Sequence, residues 1–429
     1  MLIAFRVENH RSIRDEQAFS MEPGGSEKSD ERLRVDEGDQ VLPVAAIYGA
    51  NASGKSNVLG ALAFMRDAVV LSHRLYPPDR GVPHKPFAWG PKAAEPSLFE
   101  IVFRTGGVRY EYGFVADRLA FVEEWLYAYP SSRKQIWFER DKHEFKFGEH
   151  LKGENRVVEK VTRPNSLFLS AAAQNHHEQL DPIFRWFRSV RAHNVPLDGR
   201  TAEGLRRLRS DDQFVRWWSQ SSGNQLSMFE NDAAEENNTR SERFRQLLRA
   251  ADFGIVDLKV TGSGNEDANT GEPPRVMVKH QSSVPDAWLP LEEESHGTKQ
   301  LFRLAPSVLD ALVHGSVVLI DELETSLHPL LALQLVRTFN DPKQNQRNAQ
   351  LVFSTHDTNL LGTIFGGTPP LRRDQVWLTE KDREGATRLY PLTDYKPRKV
   401  ENLERGYLQG RYGGIPFLEN IASDGKTKA

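Results

Sequence analysis

Gly49-Ala50-Asn51-Ala52-Ser53-Gly54-Lys55-Ser56 matches G-x-x-x-x-G-K-[ST]. In such a loop, consecutive backbone N–H groups and the N-terminus of the next helix point at a phosphate chain. Glycines are needed because a Cβ would block that approach. Lys55 is placed to reach the β- and γ-phosphates, and the Ser56 hydroxyl to ligate Mg²⁺. The flanks agree with this reading. Leu42 to Tyr48 is a continuous apolar run, as expected of a strand buried on both faces of a parallel sheet, and Asn57 to Val70 reads as a helix. The candidate nucleotide-binding residues are therefore Gly49, Ala50, Asn51, Ala52, Ser53, Gly54, Lys55, Ser56 and Asn57.

Two downstream segments extend the set. Val317-Val318-Leu319-Ile320 is an apolar run ending in Asp321-Glu322, and Gln350 to Ser354 reads as a second buried strand, followed by Thr355-His356. Asp321, at the end of a buried strand, is expected to hold the Mg²⁺ shell through a water. Glu322 is the candidate for polarising the attacking water. His356 is the candidate sensor of the γ-phosphate, telling ATP from ADP. Lys55, Glu322 and His356 thus form the expected catalytic set. More than half of the chain separates Lys55 from Asp321, so a single nucleotide-binding sheet must be interrupted by a large insertion.

Composition bounds the rest. The chain has 429 residues, enough for two or three domains or lobes, and its mean hydropathy of −0.56 predicts a soluble protein. Its longest apolar runs are strand-sized, so no membrane span and no secretory signal are expected. The absence of cysteine excludes disulfides, thiolate catalysis and Cys-ligated zinc, and makes the cytoplasm the default compartment. A net charge of −3 is unlike a wholesale basic nucleic-acid binder. Arginine clusters at 200–209 and 240–249 read as solvated helix faces, with DNA or a partner protein as the other reading.

Met1 to Val7 alternates like a strand, and Ser97 to Val115 reads as a hairpin turning at Gly106-Gly107. Further strands are expected to about Phe147. From about Ala171 to Ala251 the pattern turns helical and charged, with Trp186, Trp217 and Trp218 as anchors and a loop over 219–238. Strands resume at Ile255–Val260 and Arg275–His280. A helix over Gly297–Val313 containing Pro306, a helix over Leu330–Phe339 and strands at Gln350–Ser354 and Gln375–Thr379 complete the pattern. Ser295 and Gly297 sit where the helix over Gly297–Val313 should begin, so a hydroxyl and free amides can receive an anion there. A plain N-cap is the simpler reading of the same residues.

The sequence resembles ABC-type ATPases of the SMC and RecF class. It is more closely similar to stand-alone ATP-binding proteins of bacterial defence loci, the OLD-like and abortive-infection AbiL–RloA type. The residues that carry the resemblance are Phe5-Arg6-Val7-Glu8-Asn9-His10-Arg11-Ser12-Ile13, Glu294-Ser295-His296-Gly297-Thr298, Leu319 to Pro329 and the tail Tyr407 to Leu418; the middle of the chain is weakly covered. The resemblance implies an α/β fold: an ABC-ATPase head with a P-loop parallel sheet core, an antiparallel β lobe and a large, mostly helical insertion. The expected units are residues 1–170, 171–290 and 291–429. It also implies that Arg11 and Ser12 lie near the phosphates and that Gln174 is a Q-loop residue sensing Mg²⁺, an ordinary helix glutamine being the alternative. Ser295 and Gly297 would serve the nucleotide of a second subunit, and Ser326-Leu327-His328 would form a D-loop across the dimer.

Function follows as an expectation. The cofactors are ATP and Mg²⁺, and the activity is a slow, partner- or trigger-regulated ATPase. The protein would form a homodimer through an ATP sandwich, with higher oligomers left open. It would act in anti-phage defence by controlling a separately encoded effector of the TOPRIM-nuclease type; the chain itself has no D-x-D pair for such a metal site. The alternative is a RecF/SMC-like DNA-repair or recombination ATPase that binds duplex DNA, which keeps DNA among the candidate partners.

Overall fold

The computed structural model describes residues 1–24, 30–36, 39–196, 214–215, 217–218, 240–248, 254–261, 275–364, 366–397 and 401–415. The chain opens with strands β1 (Leu2–Glu8) and β2 (Gln17–Ser20), then a small antiparallel pair, β3 (Arg34–Asp36) and β4 (Asp39–Val41). β5 (Val44–Gly49) ends at the phosphate loop, and α1 (Lys55–Leu75) leaves it. A meander follows: β6 (Ser97–Thr105), β7 (Val108–Ala116), β8 (Phe121–Tyr129), β9 (Gln135–Asp141) and β10 (Glu144–Phe147). Next come α2 (Asn155–Val161), α3 (Phe168–Gln174), α4 (Asp181–Ser189) and the short β11 (Arg191–His193). β12 (Ile255–Thr261), β13 (Arg275–His280) and β14 (Trp288–Pro290) form a separate antiparallel sheet. The last part holds α5 (His296–His314), β15 (Val317–Ile320), α6 (Leu323–Ser326), α7 (Pro329–Asn340), β16 (Gln350–Ser354), β17 (Val376–Lys381), β18 (Thr387–Pro391) and α8 (Leu403–Leu408).

Two sheets organise the head. One has the order β11-β15-β16-β5-β17-β18, parallel except for β18. The other, β10-β9-β8-β7-β6-β1-β2, is antiparallel throughout. The β6–β7 turn is Gly106-Gly107, both with positive φ, as a two-residue hairpin loop of this hand requires. α1 lies between the sheets. Val58, Leu59, Leu62 and Met65 join a core with Phe5, Val7 and Phe99 from the antiparallel sheet and Ile47, Leu319 and Val352 from the parallel one. The opposite face of the parallel sheet offers Val44, Ala46, Tyr48, Val318, Ile320 and Phe353 to Leu301, Phe302 and Val308 of α5 and to Leu333 and Val336 of α7. Each central strand is thus apolar on both faces, which explains the unbroken apolar runs.

The α/β architecture agrees with expectation, but the division of the chain does not. Position 170 falls inside α3, and α3 and α4 pack on α1 rather than starting a separate unit. β11 is a strand of the core sheet, in parallel register with β15, with Ala192 opposite Leu319 and His193 opposite Ile320. Three residues with one apolar member have no readable periodicity. Trp186 stacks on Phe103 in the α1 core, whereas Trp217 and Trp218 meet Phe214 and Phe244, which in turn pack on Phe302, on the other face of the sheet. Of the arginine clusters, 200–209 lies outside the described residues, as does the loop expected over 219–238. Arg245 pairs with Asp257 and covers Trp218, so this member of the second cluster serves packing. Among the described residues no helix is long and apolar enough to cross a membrane.

Candidate nucleotide site

The phosphate loop emerges from the C-terminal end of β5, between β16 and β17, where open parallel sheets bind ligands. Gly54 caps α1 with φ 112° and gives no side-chain bond to its first turn. Among the described residues, the N–H groups of Asn51, Ala52, Gly54, Lys55 and Ser56 find no acceptor. This is a ring of donors at a helix N-terminus with no acid in its first turn, a setting that favours an anion. The glycines have a second duty that sequence reasoning missed. A Cβ on Gly49 would overlap Thr379 Oγ1 and Ser53 Oγ, and one on Gly54 would overlap the Thr387 side chain. Thr379 bonds Ser53 Oγ at 2.6 Å, and Thr387 Oγ1 donates to the Ser53 carbonyl at 2.9 Å. The loop is clamped from the β17–β18 side.

Lys55 is nearly buried, and its ammonium turns back onto the Gly49 and Ala50 carbonyls at 2.9 and 3.1 Å. Its third contact is His356 Nε2 at 2.8 Å. Burial lowers the Lys55 pKa; the acids Glu324, Asp321 and Glu322 push the other way. Burial, and then Lys55, lower that of His356. The His356 shift favours a neutral imidazole, which can accept from the lysine.

Asp321 is buried at the end of β15, where its carboxylate takes the Ser354 hydroxyl and its N–H donates to the His193 carbonyl at 3.0 Å. Glu322 has φ 51°, and its N–H donates to Ser354 Oγ at 2.8 Å while its side chain stays exposed. Glu324, which sequence reasoning passed over, accepts from Thr355 Oγ1 at 2.7 Å and from the His356 N–H at 2.8 Å, locking the turn that carries the imidazole.

Ser12 reaches the loop through its neighbours: Asn57 Nδ2 donates to its hydroxyl at 2.6 Å, and Thr387 Oγ1 lies 2.7 Å from it. Arg11, with φ 54°, directs its guanidinium to the Pro196 carbonyl at 3.4 Å, where β11 leads out of the core.

Gln174 is not part of this cluster. It is exposed at the last turn of α3, and the His73 N–H, donating to Ser170 Oγ at 3.1 Å, pins α3 to the far end of α1. At 1.5 Å per residue that end lies roughly 25 Å from Ser56, too far for a shared metal. The residues that do flank Asp321 on the insertion side are His193 and the exposed, left-handed Asn194.

Ser295 is the N-cap of α5: its Oγ accepts from the Thr298 N–H at 3.1 Å. With Gly297 it lines a cavity of about 380 Å³ shared with Glu324, Thr325, Leu327 and His328, and no phosphate-loop residue borders it.

A family model described as "AAA domain, putative AbiEii toxin, Type IV TA system" matches residues 44–362, which run from β5 past His356. The chain belongs to this AAA-domain family. Among solved structures, an SMC head bound to the C-terminal winged-helix domain of ScpA is similar at 14% identity and TM-score 0.46, over 91% of this chain and 96% of that one. The SMC head of Thermotoga maritima is similar at 13% identity and TM-score 0.40, over 91% and 98%. An SMC head with an extended coiled coil, bound to the C-terminal domain of ScpA from Pyrococcus furiosus, is similar at 13% and 0.41, over 96% and 98%. No curated protein matches the sequence.

Proposed function

We propose that this protein binds and hydrolyses ATP as the nucleotide-handling subunit of a bacterial abortive-infection defence system. Two copies close over two ATP molecules and control a separately encoded effector, a TOPRIM-type nuclease being the class put forward. The observation that carries the ATPase reading is the contact of Lys55 with His356, 301 positions apart, beside free loop amides, with the Asp321 carboxylate near enough for its charge to act on both. The family description, which names an AbiEii toxin and a type IV TA system, supports the defence setting. The OLD-like or AbiL–RloA assignment within it rests on the sequence resemblance.

The donor set fits a magnesium–triphosphate: five free amides and one ammonium for the phosphates, with the Ser56 hydroxyl and the Asp321 carboxylate for a hard cation. Bound Mg²⁺ supplies charge neutralisation of the β- and γ-phosphate oxygens. Lys55 leaves the Gly49 and Ala50 carbonyls for the phosphates, and His356 Nε2, thereby released, turns to the γ-phosphate. Glu322 orients the attacking water, and its left-handed backbone presents the carboxylate outward from the strand end. Ser295 and Gly297, which do not border the phosphate loop of their own chain, cover the nucleotide held by the partner copy. Loss of the γ-phosphate removes the charge that held the copies together.

Glu322→Gln should lower turnover at least about 100-fold, the range for a lost general base, while leaving an ATP-dependent dimer visible by light scattering. Wild-type turnover in that variant would overturn the role of Glu322. The effector assignment is tested by co-purification with the product of the adjacent gene: no complex, and no change in that product's activity, counts against it.

A further inference from the structure

The C-terminal segment resembles the tail of a defence-ATPase subfamily, yet nothing in the proposed cycle uses it. In the fold it reaches the back of the phosphate loop. α8 packs against the Thr358–Leu361 turn, just after His356, with Leu403, Leu360 and Leu361 all buried in one core. Tyr407 from this helix is 6% exposed and packs edge-on to Tyr48 at 5.6 Å. The Tyr48 hydroxyl in turn donates to the Asp357 carbonyl at 2.9 Å, next to the sensor histidine. The Tyr407 hydroxyl donates to the Gly414 carbonyl at 3.1 Å, and the Gly49 backbone N–H faces the same phenol oxygen. Gly414 has φ 67°, and an added Cβ there would lie 3.7 Å from the Gly49 Cα. One short segment therefore touches both the first glycine of the phosphate cradle and the turn that carries the γ-phosphate sensor.

We infer that the tail is a positioning element of the nucleotide site, in which Tyr407 and Gly414 hold the Gly49 end of the phosphate loop in its binding geometry. The physical reason is that Gly49 and Ala50 carry the carbonyls that Lys55 grips and releases. A loop that must let go of its lysine needs its backbone fixed by other means, and a buried hydroxyl that ties the tail at Gly414, itself packed against Gly49, provides that. The affinity part of this inference rests on the proposed ATP binding; the loop-holding part does not.

Tyr407→Phe keeps the ring and removes only the hydroxyl, and Tyr412→Phe is the matched control. Tyr412 lies in the same tail, but its hydroxyl donates to Glu401 at 2.8 Å rather than serving the loop. In the nucleotide-free full-length protein, amide hydrogen exchange in the peptide spanning 47–56 should quicken about fivefold in Tyr407→Phe and stay unchanged in Tyr412→Phe. The dissociation constant for Mg²⁺–ATP should rise by a similar factor in the first variant only, with melting temperatures of the two variants alike. Unchanged exchange in Tyr407→Phe, or equal effects in both variants, overturns the inference. Wild-type protein that binds no ATP would remove the proposed function instead, and the exchange result would still decide whether the tail holds the loop.

Discussion

At the scale of single residues, the contact between Lys55 and His356 ties protons to nucleotide binding. In the nucleotide-free protein, burial and the neighbouring ammonium hold the imidazole pKa below its usual 6.5. When Lys55 moves to the phosphates, its lowering effect goes and an anion arrives, so the pKa rises. The bound state then takes up protons in the window between the lowered free value and the raised bound value. ATP should therefore bind more tightly as pH falls through that window, and no further gain should follow below the free-state pKa. An increase on the order of threefold between about pH 7.5 and about pH 6 is expected by titration calorimetry. His356→Gln cannot titrate, and its profile should show only the protonation of ATP itself. Parallel profiles for the two proteins would refute the linkage.

Among elements, the glycine loop shows what sequence could and could not reveal. The loop, the strand before it and the helix after it are contiguous, so their pattern was legible. Asp321 and His356 were legible for a similar reason, since Asp321 directly follows the apolar strand β15 and His356 comes two residues after the buried strand β16. Thr379, Thr387, Ser354 and β11 were not, because their roles exist only after the chain has folded back. Thr387 meets Ser53 across 334 positions and Ser12 across 375. The Q-loop role expected of Gln174 failed because α3 docks at the far end of α1, a matter of tertiary placement. The clamp on the loop is testable. Gly54→Ala meets a backbone at φ 112° and an overlap with Thr387, and should cost about 3 kcal/mol of stability. Thr387→Ala alone loses its bond to the Ser53 carbonyl, a cost of about 1 kcal/mol. Combined with Gly54→Ala it removes the two closest overlaps, with Oγ1 and Cγ2, and leaves only the Thr387 Cβ at 2.9 Å, so denaturant unfolding should show the double variant more stable than the sum of the single effects. Simple additivity would mean that the two residues do not press on each other.

For the whole molecule, the decisive matter is where one copy's Ser295 acts. Within a chain, Ser295 and Gly297 share their cavity with Glu324, Thr325, Leu327 and His328. That places the start of α5 beside the segment leaving β15, on a face a second copy can cover. If each triphosphate lies between the phosphate loop of one chain and Ser295 of the other, two inactive proteins can restore each other. Lys55→Ala loses the ammonium for the phosphates, and Ser295→Arg puts a bulky cation where the partner's nucleotide must fit. A mixed dimer then has one site with both lesions and one with neither. Mixing the purified variants should recover about a quarter of wild-type turnover, since half of the randomly assorted dimers carry one sound site of two. Each variant alone should stay near background, and the recovery should depend on total protein concentration as dimerisation requires. A site complete within one chain gives a different result: the mixture then shows only the average of its two parts, at every ratio and concentration.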